Sequence, residues 1–275
     1  MKKKENLFEI WGILNLTPDS FYSESKISSN DILNRANEML AQGADVLDIG
    51  AESSRPYAKK ISWQEEWQRL EQPLKILSKA WGKKKFAKRV SIDSYKLPVV
   101  KKVLGLGVRI INDINGGSNK KILKEVAKVN GKIVIMHKVG DPQSMQENPS
   151  YDNVVLEVAE YLHRQAKLAQ KVGIKKKNIL IDPGIGFGKT LLHNITLLNS
   201  VNKLKKSSVK LLLGISRKSF IGEILEEPNP EARLLATQSL HTILAYNGVD
   251  ILRVHDVAPA NEIRLILKTM RKYHG

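Results

Sequence analysis

The sequence predicts an α/β fold: a single-domain (β/α)8 barrel of the TIM type spanning residues 1–275. Three observations point to it. Eight short β-branched apolar runs recur along the 275 residues, helix-period segments alternate with them, and no Pro/Gly-rich linker divides the chain. Strands apolar on both faces and followed by helices fit a parallel sheet, and eight such units close into a barrel of roughly 250 residues. An open doubly wound sheet is the alternative that periodicity alone leaves open.

The first run, Phe8 to Leu14, leads through a polar loop to a helical segment over Asp31 to Gln42. Asp45 to Ile49 is the second strand, followed by a helix over Trp63 to Ala80, and Arg89 to Ile92 is the third. Arg109 to Asn112 precedes a helix at Lys120 to Val129, and Lys132 to Met136 precedes one at Asn153 to Val172. Ile179 to Ile181 and Lys210 to Ile215 flank a helical segment at Leu191 to Leu204. Glu231 to Tyr246, the eighth strand Asp250 to Val254 and a helix at Asn261 to Lys272 complete the order. Gly43, Gly107, Gly173 and Gly248 each stand just before a strand, where a helix C-cap belongs.

Composition narrows the function classes. With 42% hydrophobic and 27% charged residues the chain is globular rather than disordered. No apolar run approaches the roughly 18 residues of a membrane span, so neither insertion nor secretion is expected. The absence of cysteine removes thiolate catalysis, disulfides and iron–sulfur chemistry and agrees with a reducing cytoplasm. Net charge is +17, but the clusters Lys2 to Lys4, Lys83 to Lys85, Lys175 to Lys177 and Lys205-Lys206 are scattered and lack interleaved aromatics. They read as a solvated surface, and a nucleic-acid partner is not expected.

A barrel builds its site where the strands end. Those positions hold Asn15; Asp48 with Glu52-Ser53-Ser54-Arg55; Asp93; Asn112-Asp113; His137; Asp182; Ser216-Arg217-Lys218; and Arg253-Val254-His255-Asp256. Caps and turns explain single Asp or Asn residues, but not Lys, Arg and His converging on the same face. Arg55, Arg253 and His255 suit an anion such as a phosphate. Asp93, Asn112, Asp182 and Lys218 offer alternating donors and acceptors for a flat heterocycle. Asp182 to Thr190 ends in Gly-Lys-Thr like a phosphate loop, but Pro183 occupies a position where that motif needs glycine. The six histidines show no metal-ligand spacing, and His163 and His241, on helical segments, read as structural.

In sequence order, Gly12-Ile13-Leu14-Asn15-Leu16-Thr17-Pro18-Asp19-Ser20-Phe21, Asp48 to Pro56, Ser91-Ile92-Asp93-Ser94, Ile111-Asn112-Asp113, Met136-His137 with Tyr151, Asp182 to Thr190, Gly214 to Phe220 and Arg253 to Asp256 resemble the dihydropteroate synthase family of pterin-binding barrels. The resemblance covers nearly the whole chain. It implies an enzyme of folate biosynthesis that joins hydroxymethyl-dihydropterin pyrophosphate to p-aminobenzoate, releasing pyrophosphate with Mg²⁺ assisting. By resemblance Asp93, Asn112, Met136, Asp182, Lys218 and Arg253 hold the pterin. Asn15, Ser54, Arg55, Arg253 and His255 hold the pyrophosphate, with Asn15 the contact to Mg²⁺. Phe21, Ser54, Pro56, Phe187, Lys218 and Ser219 receive p-aminobenzoate. The resemblance also implies a cytoplasmic homodimer and a target for sulfonamides.

Two loops depart from the family pattern. Phe21 is followed by Tyr22-Ser23-Glu24-Ser25 rather than Ser-Asp-Gly-Gly, and Tyr57 stands where the family has glycine after Arg-Pro. Tyr57→Gly is therefore expected to change the affinity for p-aminobenzoate and the inhibition constant of a competing sulfonamide, both measurable from steady-state rates. Two alternatives share part of the residue set: a pterin-binding methyltransferase, which needs no pyrophosphate site, and a non-catalytic pterin or nucleic-acid binder. Arg55, Lys218, Arg253 and His255 favour the synthase over both.

Overall fold

The computed structural model describes residues 7–16, 29–53, 58–140, 145, 148–205 and 209–273. Eight strands pair in chain order into a closed barrel: β1 (Glu9–Asn15), β2 (Val46–Gly50), β3 (Val90–Asp93), β4 (Ile110–Asp113), β5 (Lys132–Met136), β6 (Ile179–Asp182), β7 (Lys210–Leu213) and β8 (Ile251–Val254). The last strand pairs with the first in parallel, Glu9 beside Ile251 and Trp11 beside Arg253, which rules out the open sheet.

Side chains along a strand alternate between two faces, and here the two faces belong to two separate cores. Trp11, Val46, Ile110, Val134, Leu180, Leu212 and Ile251 form one cluster inside the barrel. Their neighbours Ile10, Leu47, Ile111, Ile133, Ile181, Leu213 and Leu252 join the larger cluster beneath the helices. The period of two has a direct consequence for the site. Two residues past the inner cluster, the inward positions are Asp48, Asn112, Met136, Asp182 and Arg253, and Asn15 lies four past Trp11. This layer is the inner core continued by one step toward the C-terminal mouth.

The outer ring comprises α1 (Ser29–Ala41), α2 (Trp63–Arg89), α3 (Leu97–Gly105), α4 (Lys120–Lys128), α5 (Val154–Lys171), α6 (Leu191–Leu198), α7 (Val201–Leu204), α8 (Ser219–Leu225), α9 (Leu234–Tyr246) and α10 (Val257–Lys272). Ser62, Asn119, Asn153 and Thr190 cap their helices by accepting backbone N–H groups. At the other ends Gly43, Gly107, Gly173 and Gly248 take φ of 84° to 114°, the left-handed exits expected of them. No helix among the described residues is long and apolar enough to cross a membrane.

Several boundaries differ from the periodic pattern. α2 continues beyond Ala80 to Arg89 because the chain resumes its helix after a break at Gly82 (φ 69°, ψ 161°). The segment Leu191 to Leu204 is two helices, interrupted where Ser200 leaves helical geometry. Glu231 to Tyr246 begins instead as a 3₁₀ turn, Pro230–Arg233, capped by Asn229. α10 starts at Val257, four residues before Asn261, since Pro259 falls in the first turn, where a missing N–H is not needed. The short helices α3 and α8 lie outside the segments that periodicity singled out.

Candidate active site

A guanidinium and two carboxylates close the centre of the mouth. Arg253, on β8, donates from Nε to Asp48 Oδ2 (2.6 Å) and from Nη2 to Asp93 Oδ2 (2.8 Å). Asp48 is fully buried, and its Oδ2 also accepts Asn112 Nδ2 at 2.9 Å. β2, β3, β4 and β8 thus converge on one charge network, and Asp93 lies in register with Asn112. Burial alone would lower the Arg253 pKa, but Asp48 and Asp93 outweigh it and hold the guanidinium above its ordinary value. Two of its five N–H bonds serve these carboxylates.

The opposite side is organised by Asp182 and Lys218. Asp182 is buried at the end of β6, beside Met136 in register, and its Oδ1 accepts the Gly184 N–H at 2.7 Å. Burial raises the Asp182 pKa, with Lys218 opposing. Burial likewise lowers Lys218 to about 8, while the negative charge of Asp182 opposes that fall. The Lys218 ammonium donates to the Ile185 carbonyl and lies 4.5 Å from the Phe187 ring centre. Ser219, exposed at the first turn of α8, follows it directly.

The loop from Pro183 to Thr190 is not a phosphate cradle. A side chain at Gly184 (φ +64°) would place its Cβ 1.9 Å from the His137 carbonyl oxygen, so glycine is required there by close approach. Lys189 turns into the protein: its Nζ lies 3.1 Å from His137 Nδ1 and donates to the Phe187 carbonyl at 2.9 Å. Burial brings Lys189 down to about 7 and the His137 imidazole to about 3. The loop is thereby held against the end of β5, with Tyr151 donating to the Gly188 carbonyl.

On the remaining side, His255 stands two residues beyond Arg253. Ser216 Oγ accepts its backbone N–H at 3.2 Å and lies 3.0 Å from Nδ1, so the ring is held from the turn after β7. Asn15, half-buried, ends β1 near Gly50. Of the residues singled out from sequence, Asn15, Asp93, Asn112, Met136, Asp182, Phe187, Lys218, Ser219, Arg253 and His255 gather at this end of the barrel. Phe21, Ser54, Arg55 and Pro56 lie outside the described residues, as do Tyr57 and Tyr22 to Ser25. His163 and His241 sit in α5 and α9, and His241 is fully buried.

Burial raises the Asp93 pKa from 3.8 to about 7; Arg253 acts against the rise and Asp48 adds to it. A folded-state value above the unfolded one means that the fold holds this proton more tightly. The stabilisation from this group is complete below about pH 4 and is lost as pH rises through about 7. Asp93→Asn is expected to remove that part of the pH dependence, read as a smaller difference in Tm between pH 5 and pH 8 than in the unmodified protein.

Carboxylates, an amide, a lysine, an arginine and a histidine thus gather at the C-terminal end of a closed (β/α)8 barrel, and the class of protein this defines is the pterin-binding enzymes. The pterin binding enzyme family model matches residues 11–255. The Haemophilus influenzae dihydropteroate synthase is 37% identical over 256 residues, covering 93% of this chain and 91% of the relative. The Yersinia pestis dihydropteroate synthase, solved with a sulfonamide drug complex, superposes with a TM-score of 0.88 at 34% identity, covering 96% and 94% of the two chains. The Xanthomonas albilineans dihydropteroate synthase with 4-aminobenzoic acid gives 0.85 at 32% identity, covering 96% and 93%. The chain belongs to the dihydropteroate synthases of the pterin-binding enzyme family.

Proposed function

We infer that this protein condenses hydroxymethyl-dihydropterin pyrophosphate with p-aminobenzoate, giving dihydropteroate and pyrophosphate. The observation that carries the reading is the continuous mouth layer of Asp93, Asn112, Asp182, Lys218 and Arg253 above the inner core, on a barrel matched by synthases over nearly its full length. Carboxylates accept from the amino-bearing edge of the pterin, and Lys218 with the second amide hydrogen of Asn112 donates to its carbonyl and ring nitrogens. Met136 packs beneath that plane.

The reaction is a substitution at the exocyclic methylene. The carbon–oxygen bond breaks with its electron pair passing to the departing pyrophosphate, the arylamine nitrogen bonds to the carbon, and the amine proton goes to solvent. In their ionised forms, which Asp93 reaches above about pH 7, Asp93 and Asp182 favour electron release from the pterin, while Arg253, His255 and the expected Arg55 meet the charge that develops on the leaving group. Ser54, Pro56, Phe21, Phe187, Lys218 and Ser219 are proposed to receive p-aminobenzoate, and competing sulfonamides there.

No group of three or more His, Cys, Asp or Glu among the described residues could hold a metal. Asn15 supplies a single neutral oxygen, a donor set that fits a largely hydrated Mg²⁺ carried by the pyrophosphate. When bound, that ion offsets the charge of the leaving group. We further propose cytoplasmic residence and association of two copies. The exposed apolar side chains Leu235, Ile243 and Tyr246 of α9 and Leu265, Ile266 and Met270 of α10 support the second.

Pyrophosphate release from purified protein with the pterin pyrophosphate, Mg²⁺ and p-aminobenzoate tests the reading. Release that requires p-aminobenzoate is the expected result. Pterin binding without release overturns it in favour of a methyltransferase or a binding protein.

A further inference from the structure

The connection between β2 and α2 is pinned at its neck by an ion triad that the chemistry above does not use. Glu52, two residues past β2, accepts the Ile61 backbone N–H at 3.0 Å on Oε1 and Lys96 Nζ at 2.8 Å on Oε2. The same Nζ reaches Glu66 Oε2, in the first turn of α2, at 2.7 Å. Lys96 arrives from the turn that follows β3, three residues after Asp93. Side-chain exposures of 14% for Lys96, 11% for Glu52 and 1% for Glu66 place the triad out of bulk water. Burial raises the Glu66 pKa, and Lys96 and the Ser94 hydroxyl pull against that rise.

Stability alone does not explain such a cluster, since apolar side chains of similar volume commonly replace buried ion pairs at no cost. The triad supplies position. One ammonium ties the turn after Asp93 to Glu52 and Glu66, and Glu52 in turn joins the two ends of the β2–α2 connection through Ile61. Glu52, Ala58, Asp93 and Tyr95 line one shared cleft beside it. We infer that Lys96 is a positioning residue that sets the described ends of the β2–α2 connection, Glu52 and Ile61, against the turn that follows Asp93. Its effect falls on the pyrophosphate and p-aminobenzoate, the ligands which that connection is proposed to serve. Of the pterin residues, Asn112, Asp182 and Lys218 receive no bond from the triad among the described residues, while Asp93 feels the charge of Glu66, so only a small change in pterin affinity is expected.

This consequence rests on the proposed synthase function, so the test includes a readout that needs no turnover. In Lys96→Met, amide hydrogen exchange at Ile61 is expected to accelerate by about tenfold or more as its acceptor loosens. KM for p-aminobenzoate and for the pterin pyrophosphate should each rise about tenfold. The Kd of 6-hydroxymethylpterin, which lacks the pyrophosphate, should stay within about twofold by calorimetry, and Lys96→Arg should recover most of the loss. If stranding Glu66 prevents folding, Lys96→Met/Glu66→Met removes both charges and is read in the same way. Unchanged Ile61 exchange overturns the positioning role, and so does loss of pterin affinity in step with the other two ligands. An unmodified protein that releases no pyrophosphate removes the synthase reading instead, and Ile61 exchange still decides the clamp.

Discussion

Arg253→Ala is expected to reduce p-aminobenzoate-dependent pyrophosphate release by about a thousandfold or more and to destabilise the fold by about 3–5 kcal/mol. Both effects come from the same two bonds. The guanidinium is the counter-charge to Asp48, which is fully buried, and to Asp93, so its removal leaves two carboxylates without it on the neighbouring strands β2 and β3. They must then hold a proton or admit water, and either response spoils an acceptor surface built for ionised Asp93. The donors proposed for the leaving pyrophosphate disappear as well. Arg253→Lys separates the contributions: a point charge restores much of the stability but cannot span Asp48 and Asp93 with a planar fork, so activity should remain well below that of the unmodified protein. Denaturant titration beside the release assay measures both. An alanine variant that keeps more than about a tenth of the activity would contradict this assignment of Arg253.

Asp182→Asn should lower pterin affinity by about a hundredfold, equivalent to about 3 kcal/mol and in the range of charge-assisted hydrogen bonds. The fold should survive, because an asparagine Oδ1 can still accept the Gly184 N–H that Asp182 accepts at 2.7 Å. A second consequence distinguishes electrostatics from lost packing. Asp182 opposes the burial that brings Lys218 down to about 8, so neutralising it should push Lys218 lower still. Residual pterin binding in the variant should then weaken with rising pH earlier than in the unmodified protein. Calorimetric titration between pH 6 and 9, bounds set by about one unit or more around Lys218, gives both the affinity and the displacement.

The candidate site was legible in the sequence as the polar residues at which the apolar runs stop, and the structure adds the register that aims them inward. Once Val46, Ile110, Leu180 and Ile251 are assigned inward, Asp48, Asn112, Asp182 and Arg253 face the same way two residues later. What periodicity cannot reveal is partnership between side chains distant in sequence. Asp48 stands out as a strand-end residue, yet nothing local marks it as the anchor of Arg253, 205 residues away. Lys96 and Glu66 are 30 residues apart and read individually as ordinary surface charges. Helix boundaries failed for local reasons. A helix that resumes after Gly82 looks finished at Ala80, and α3, with Pro98 and three valines in nine residues, carries a weak helical signal.

The inner core also divides the aromatic residues of the chain. Of its four tryptophans, Trp11 is enclosed in the barrel among aliphatic side chains, whereas Trp63, Trp67 and Trp81 all belong to α2. Intrinsic fluorescence therefore carries two spatially separate signals. Short-wavelength emission from Trp11 follows opening of the barrel, and the longer-wavelength emission of the α2 indoles follows detachment of one outer helix. Coincident midpoints at the two wavelengths would mark cooperative unfolding of ring and barrel, while an earlier change in the α2 signal would identify that helix as the first part of the ring to leave.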